Sequence, residues 1–223
     1  ATYDYKTRYL LDLSIGYNGS ENFAEGKRFG TFPAGSVGWI ISEEKFMEPL
    51  KPYVSYLKLR ASYGIVGNDR YYSSGDYMIR FLYLPNSYQL GNGYQFGTGK
   101  SWTNGAYESS FGNSGVSWEK SAKQNYGIDF TLFNQKLSGS VDYFLEKRTN
   151  ILAQSNTDPV IHAMALPVLN LGEVSNKGVE VNLKWNHKIN NFRYWANFNI
   201  SYAKNKIVYQ DEVPSPYEYT LKT

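Results

Sequence analysis

Between Val179 and Ala203 the chain alternates almost without interruption. Val179, Val181, Leu183 and Trp185 are interleaved with Glu180, Asn182, Lys184 and Asn186. After a tight turn, Phe192, Tyr194, Ala196, Phe198, Ile200 and Tyr202 are interleaved with Arg193, Trp195, Asn197, Asn199, Ser201 and Ala203. Period-two alternation predicts strands with two chemically different faces. Two architectures satisfy such strands. A soluble sandwich buries the apolar face in a core. A transmembrane barrel turns that face to lipid and the polar face to a wet lumen. Soluble strands run to about 5–6 residues, whereas membrane-crossing strands need about 9–11. Phe192 to Tyr202 fills the longer span, which favours an all-β, antiparallel transmembrane barrel.

Composition agrees with that reading without forcing it. No apolar run in the 223 residues reaches the roughly 18 needed for a membrane helix. A barrel is untouched by this, because alternation averages its hydropathy away. The 21 Tyr, 12 Phe and 5 Trp suit interfacial girdles, where a ring is apolar and its tip polar. They equally suit a carbohydrate-binding sandwich. The absence of cysteine removes disulfides, thiolate metal sites and cysteine nucleophiles. A net charge of +3, with cations scattered among acids, offers no basic stripe for nucleic acid.

Taken in order, strands are expected over about 8–18, 29–41, 56–66, 122–133, 136–147, 179–186 and 192–203. A helical turn is expected over 42–50 with Ser42 as N-cap, and a two-residue turn at Asn134-Gln135. Residues 67–116 read as one long loop rich in Gly, Asn, Ser and Tyr. Links after the first, third and fifth strands read as long or polar, and those between them as shorter. That asymmetry predicts a meander with its long loops on one side. About seven strands cannot close a barrel, and unpaired edges in lipid are prohibitive. The chain is therefore expected to be a section of a larger barrel. Ala1 in place of a start methionine, no leader sequence, and a loop-like PSPYEYTLKT terminus fit that expectation.

Several stretches, in this order, resemble the C-terminal barrel of the SusC/RagA family of TonB-dependent outer-membrane transporters. They are RYLLDLSIGYNGSENFA, RFGTFPAGSVGWIISEEKFM, YLKLRASYGIVGND, VSWEKSAKQNYGIDFTLFNQKLSGSVDYF, NLGEVSNKGVEVNLKW and FNISYAKNKIV. The resemblance implies a barrel of about 22 strands in a bacterial outer membrane. It also implies an N-terminal plug (absent from this sequence), energy supplied through TonB, and a SusD-like surface lipoprotein acting as a lid. Glycans, oligosaccharides or peptides would be the cargo.

Candidate sites follow from this. Lys58, Arg60, Asn125, Asp129, Asp142, Glu180, Asn182, Asn197 and Asn199 fall on polar faces and are expected to line the lumen. Trp102 and Tyr107, with Asn104 and Glu108 beside them, offer aromatic platforms for a sugar or contacts for the lipoprotein. Trp118, just before a strand, reads as a girdle residue. Gly172 to Gly178 reads as a structural strand entry in which glycines admit close neighbours. No catalytic constellation assembles. His162 and His187 are far apart in sequence, Ser36 and Ser114 lack a nucleophile motif, and Glu43-Glu44 reads as a helix-start pair. Asn68, Asp69 and Asp76 match no compact calcium loop. The reading calls for no cofactor or metal. Its rivals are a soluble carbohydrate-binding sandwich and an outer-membrane barrel enzyme.

Overall fold

The computed structural model describes residues 1–72, 77–85, 89–98, 101–107, 111–155, 166–213 and 215–217. Glu108, Asp76 and His162 lie outside them. Eight strands form one antiparallel sheet in the order β1 (Thr2–Tyr5), β2 (Tyr9–Gly19), β3 (Phe29–Ile40), β4 (Val54–Asn68), β9 (Glu119–Leu132), β10 (Leu137–Gln154), β11 (Val168–Ile189) and β12 (Phe192–Tyr209). These are the seven expected strands with the short β1 added. Two small ribbons, β5 (Tyr71–Tyr72) with β6 (Met78–Ile79) and β7 (Gln89–Phe96) with β8 (Ser101–Tyr107), occupy part of the expected 67–116 loop.

Pairing in register makes the two faces continuous across strands. Tyr9, Trp39, Leu59, Ile128, Val141, Val181 and Ile200 are successive ladder partners from β2 to β12. One residue along, Gly38, Arg60, Gly127, Asp142, Glu180 and Ser201 form the adjoining row on the opposite face. Because side chains alternate, a single register fixes both faces at once. Among the described residues no second large sheet covers the apolar face. Ile15 is 74% exposed and Tyr202 69%. A sandwich would bury such residues, so this architecture excludes it.

Aromatics mark the ends of the apolar face. Tyr5, Tyr9 and Trp39 stack in sequence, with 6.4 Å between neighbouring ring centroids. At the other end of β2, Tyr17 stacks on Phe29 at 5.2 Å. Leu11, Leu13 and Ile15 lie between them on the same face. The span from Tyr9 to Tyr17 falls in the about 9–11 residues of a tilted membrane strand.

Among the described residues, one buried apolar cluster forms, at the end of the sheet that carries the 20–28, 69–118 and 155–167 links. It comprises Phe23, Phe32, Leu82, Val116, Trp118, Leu152 and Val168. Trp118 packs 5.3 Å from Phe23 and 5.2 Å from Phe32, ring centre to ring centre. It is a core residue of the loop end and not a girdle residue, because the links fold back over it. Gly67 makes this possible: a Cβ there would lie 2.1 Å from the Phe32 ring.

Several local expectations change. The 42–50 segment is two 3-10 turns, Ile41–Glu43 and Lys45–Leu50, preceded by Ile40 and Glu44. Ser42 caps neither, since its hydroxyl is buried without a partner. The link over 41–53 is longer than the 20–28 link, so the expected alternation of link lengths fails at that one place. The turn after β9 spans 133–136, and Phe133, Asn134 and Gln135 all have positive φ. The two-residue turn is instead Asn190-Asn191, with Asn190 at φ 53°. Strand β11 begins at Val168 instead of 179, so the Gly172–Gly178 stretch lies inside a strand. There Gly178 lies against the Phe144 ring, 2.6 Å from where a Cβ would stand, and Gly172 packs on Ile151. These close approaches are why glycine occupies both positions.

Candidate functional site

The polar face is built by alternation alone, and β4, β9 and β10 carry its densest part. Lys58 is the ladder partner of Asp129, which is followed by Ser140, Asn182 and Asn199. Asn197 partners Lys184 on the same face. The structure thus brings all nine residues, Lys58, Arg60, Asn125, Asp129, Asp142, Glu180, Asn182, Asn197 and Asn199, onto one face of one sheet.

Arg60 organises its centre. Its Nε donates to both carboxylate oxygens of Asp129 at 3.0 and 3.2 Å, Nη1 to Asn125 Oδ1 at 3.2 Å, and Nη2 lies 2.7 Å from the Asp142 carboxylate. Asp142 is buried. Arg60 and Lys58, the ladder partner of Asp129, balance the two aspartates, and Glu180, the ladder partner of Asp142, adds an unmatched negative charge. Such a surface holds polar, hydrogen-bonding matter better than apolar matter. A concavity of ≈ 590 Å³ opens beside it, lined by Asp12, Ser36, Ser62, Asn125, Glu146 and Glu180 among others.

Further toward the loop end the same face stays polar and internally paired. Arg148 pairs with buried Glu119, Asn68 donates to Glu119 at 3.3 Å, and Ser121 donates to Glu146 at 2.6 Å. Asp69 accepts from Ser20 at 2.6 Å. Asn68 thus ties β4 to β9, and Asp69 ties the 69–118 link to the 20–28 link. Among the described residues no group of three His, Cys, Asp or Glu is placed to hold a metal.

The loop aromatics divide. On β8, Trp102 and Asn104 share one side of the ribbon and are exposed. Tyr107 alternates to the other, where Tyr94 and Phe96 of β7 pack edge to face at 5.4 Å. A one-residue bulge in β7, between Gly91 and Tyr94, keeps Tyr94 and Phe96 on the Tyr107 side. Sequence reasoning missed Tyr94 and Phe96, because a glycine-rich strand this short shows little alternation. Their signal in the sequence is a second aromatic pair a few residues before Trp102.

At the opposite end, Glu44 accepts from the Tyr9 hydroxyl at 2.8 Å, Trp39 Nε1 at 3.2 Å and Arg8 Nη1 at 3.3 Å. The hydrogen bond from Tyr9 and then that from Trp39 hold its carboxyl below the ordinary range. His187 lies edge-on to Tyr194 at 5.6 Å and to Trp185 at 6.3 Å, which makes it part of an aromatic strand end. Ser36 stands on the polar face and Ser114 in an exposed turn.

Comparison with known proteins adds a family. Residues 1–221 match the family described as TonB dependent receptor-like, beta-barrel. TonB-dependent receptor P39 of Formosa agariphila is 38% identical over 207 residues, covering 92% of this chain and 18% of that protein. TonB-dependent receptor SusC of Bacteroides thetaiotaomicron is 30% identical over 206 residues, covering 92% of this chain and 20% of that protein. The RagAB peptide importer in its closed-closed state superposes with a TM-score of 0.77 at 23% identity, over 94% of this chain and 21% of the other. The chain thus spans about a fifth of the length of the relatives it matches.

Proposed function

The chain belongs to the TonB-dependent receptor-like β-barrel family, a family of transporters and receptors and not of enzymes, and from that membership we propose that it forms part of the wall of an outer-membrane nutrient importer. The observation that carries this reading is the division of eight paired strands into an exposed apolar face and a polar face. Lipid covers the first and a wet lumen lies against the second. Lys58, Arg60, Asn125, Asp129, Asp142, Glu180, Asn182, Asn197 and Asn199 line that lumen. The end with the 69–118 link faces outward from the cell, since long loops of such barrels are extracellular.

The whole protein takes up large hydrophilic nutrients, glycans or their oligosaccharides or peptides. It works with a SusD-like surface lipoprotein and draws energy from TonB through parts outside this chain. Likeness to SusC and to RagAB supports that class of partner. Trp102, Asn104 and Tyr107, and Glu108 beyond the described residues, contact cargo or the lipoprotein. Exposed aromatic rings beside amide groups suit the apolar faces and hydroxyls of sugars.

The test is purification of the full-length protein from native outer membranes in mild detergent. Co-purification of a surface lipoprotein, with loss of oligosaccharide or peptide uptake when the gene is deleted, supports the reading. Recovery in the soluble fraction without a partner overturns it.

A further inference from the structure

On β9 to β12 the charged residues of the apolar face gather at one end. Near the loop end of β9 to β12, where the aromatic and aliphatic rows stop, the outward positions are Lys120, Lys147, Lys177, Lys204 and Lys206. The register fixes this. Val179 partners Tyr202 at the upper edge of the apolar rows. One step on, in the same alternation, Lys177 partners Lys204, and one further step brings Ser175 opposite both Lys206 and Lys147. Lys120 lies on the same face of β9, opposite Thr149. All five lysines are exposed.

Among the described residues, Glu173 is the one carboxylate in an ion pair with any of them, 3.2 Å from Lys147. Among the described residues no carboxylate forms an ion pair with Lys120, Lys177, Lys204 or Lys206. At the same height the polar face is balanced, with Lys123 and Arg148 matched by Glu146 and Glu119. Like charges set directly opposite across a ladder repel. A lysine cluster left unbalanced on this face, and balanced on the other, calls for an external anion.

The position says which anion. The band begins where the lipid-facing rows end, at the level of headgroups and not of tails or bulk water. Lysine stems extend along apolar surface while the ammonium reaches the polar layer. An ammonium is a compact charge that suits phosphate without demanding one geometry. We propose that Lys147, Lys177, Lys204 and Lys206, flanked by Lys120, bind the phosphate-bearing headgroup of an anionic lipid in the outer leaflet, fastening this side of the wall to its membrane. This rests on the membrane placement proposed above.

The experiment uses the full-length protein in zwitterionic detergent, with native mass spectrometry counting bound lipid. The probes are bisphosphorylated lipid A, its dephosphorylated form and inorganic phosphate. Three proteins are compared with the wild type: Lys177→Gln/Lys204→Gln/Lys206→Gln, the same three changed to Arg, and Lys51→Gln at the opposite end of the sheet. The wild type, the arginine variant and Lys51→Gln are expected to retain bisphosphorylated lipid. The glutamine variant should bind it about tenfold or more weakly, given the usual attraction of each cation to an anionic surface. The arginine variant separates loss of charge from loss of fold. Equal binding by wild type and glutamine variant overturns the proposal. So does equal retention of the dephosphorylated lipid, displacement by equimolar inorganic phosphate, or loss of a bound protein instead of lipid. Fractionation is read first: a protein absent from outer membranes overturns the placement itself, whereas a membrane protein indifferent to the lysines overturns this assignment alone.

Discussion

The guanidinium of Arg60 occupies the space that a side chain at Gly127 would need, since a Cβ there would stand 2.5 Å from Arg60 Cζ. The two are ladder partners on β4 and β9. Glycine is poor in strands on entropy alone; here its absent side chain lets Arg60 lie flat across β9 and reach Asp142 on β10. Gly127→Val should therefore displace Arg60 from both aspartates while improving local strand propensity. A loss of about 1–3 kcal/mol is expected from the forced rearrangement. Thermal melting of the full-length protein measures it. Gly127→Val with Arg60→Ala should recover part of the loss, and a double variant worse than the sum of the singles would refute the steric account.

Asn170 ties three segments together. Its amide donates to Ser117 O and Asn150 O at 2.8 Å each, and its oxygen accepts from Ser117 N at 2.9 Å. Asn150 is in the left-handed region, at a register shift where β10 passes β11. Asn170→Ala leaves partly buried backbone groups unpaired, at about 1–3 kcal/mol. Limited proteolysis of the assembled protein should show earlier cleavage near Ser117 with the remaining strands intact. Cleavage unchanged from the wild type would remove Asn170 from this role.

The faces of β2, β4, β9, β10, β11 and β12 were legible in the sequence because alternation is a one-dimensional property, and pairing only sets it in register. What stayed hidden depends on neighbours distant in the chain. Trp118 reads as a girdle residue until the 20–28 link brings Phe23 over it. Ser42 has the composition of a cap but the backbone of neither cap position. Tyr94 and Phe96 share a side with Tyr107 only through a bulge. For the candidate site, the polar residues could be picked out singly, but that one arginine gathers Asn125, Asp129 and Asp142 follows from register across three strands.

Adjacent residues on β12 should respond oppositely to charge. Ile200 is on the apolar face and Asn199 on the polar one. Ile200→Arg should cost about 2–4 kcal/mol if it lies near the bilayer midplane, while Asn199→Arg should cost close to nothing. Urea-induced unfolding in lipid vesicles, followed by heat-modified mobility, compares them. Equal penalties would mean that both faces meet water, and the membrane reading would fall.

Glu44 supplies a pH-dependent contact at the end away from the long links. Its carboxylate accepts from Tyr9, Trp39 and Arg8, and its pKa is lowered from 4.5, chiefly by the Tyr9 and then the Trp39 hydrogen bond. The sign follows from linkage: a carboxyl with a lower pKa folded than unfolded stabilises the fold above its unfolded value, and that contribution is lost as pH falls through the folded value. The contact should thus be complete at neutral pH and weaken in acid, below 4.5. Trp39 reports it, because its indole N–H donates to the group that titrates. The wild-type minus Glu44→Gln difference in tryptophan emission should be constant near neutrality and change in that acid range. Glutamine keeps an acceptor oxygen but no titration, so its own emission should lack the step. Identical acid titrations for the two proteins would show that Glu44 does not hold Trp39 in solution.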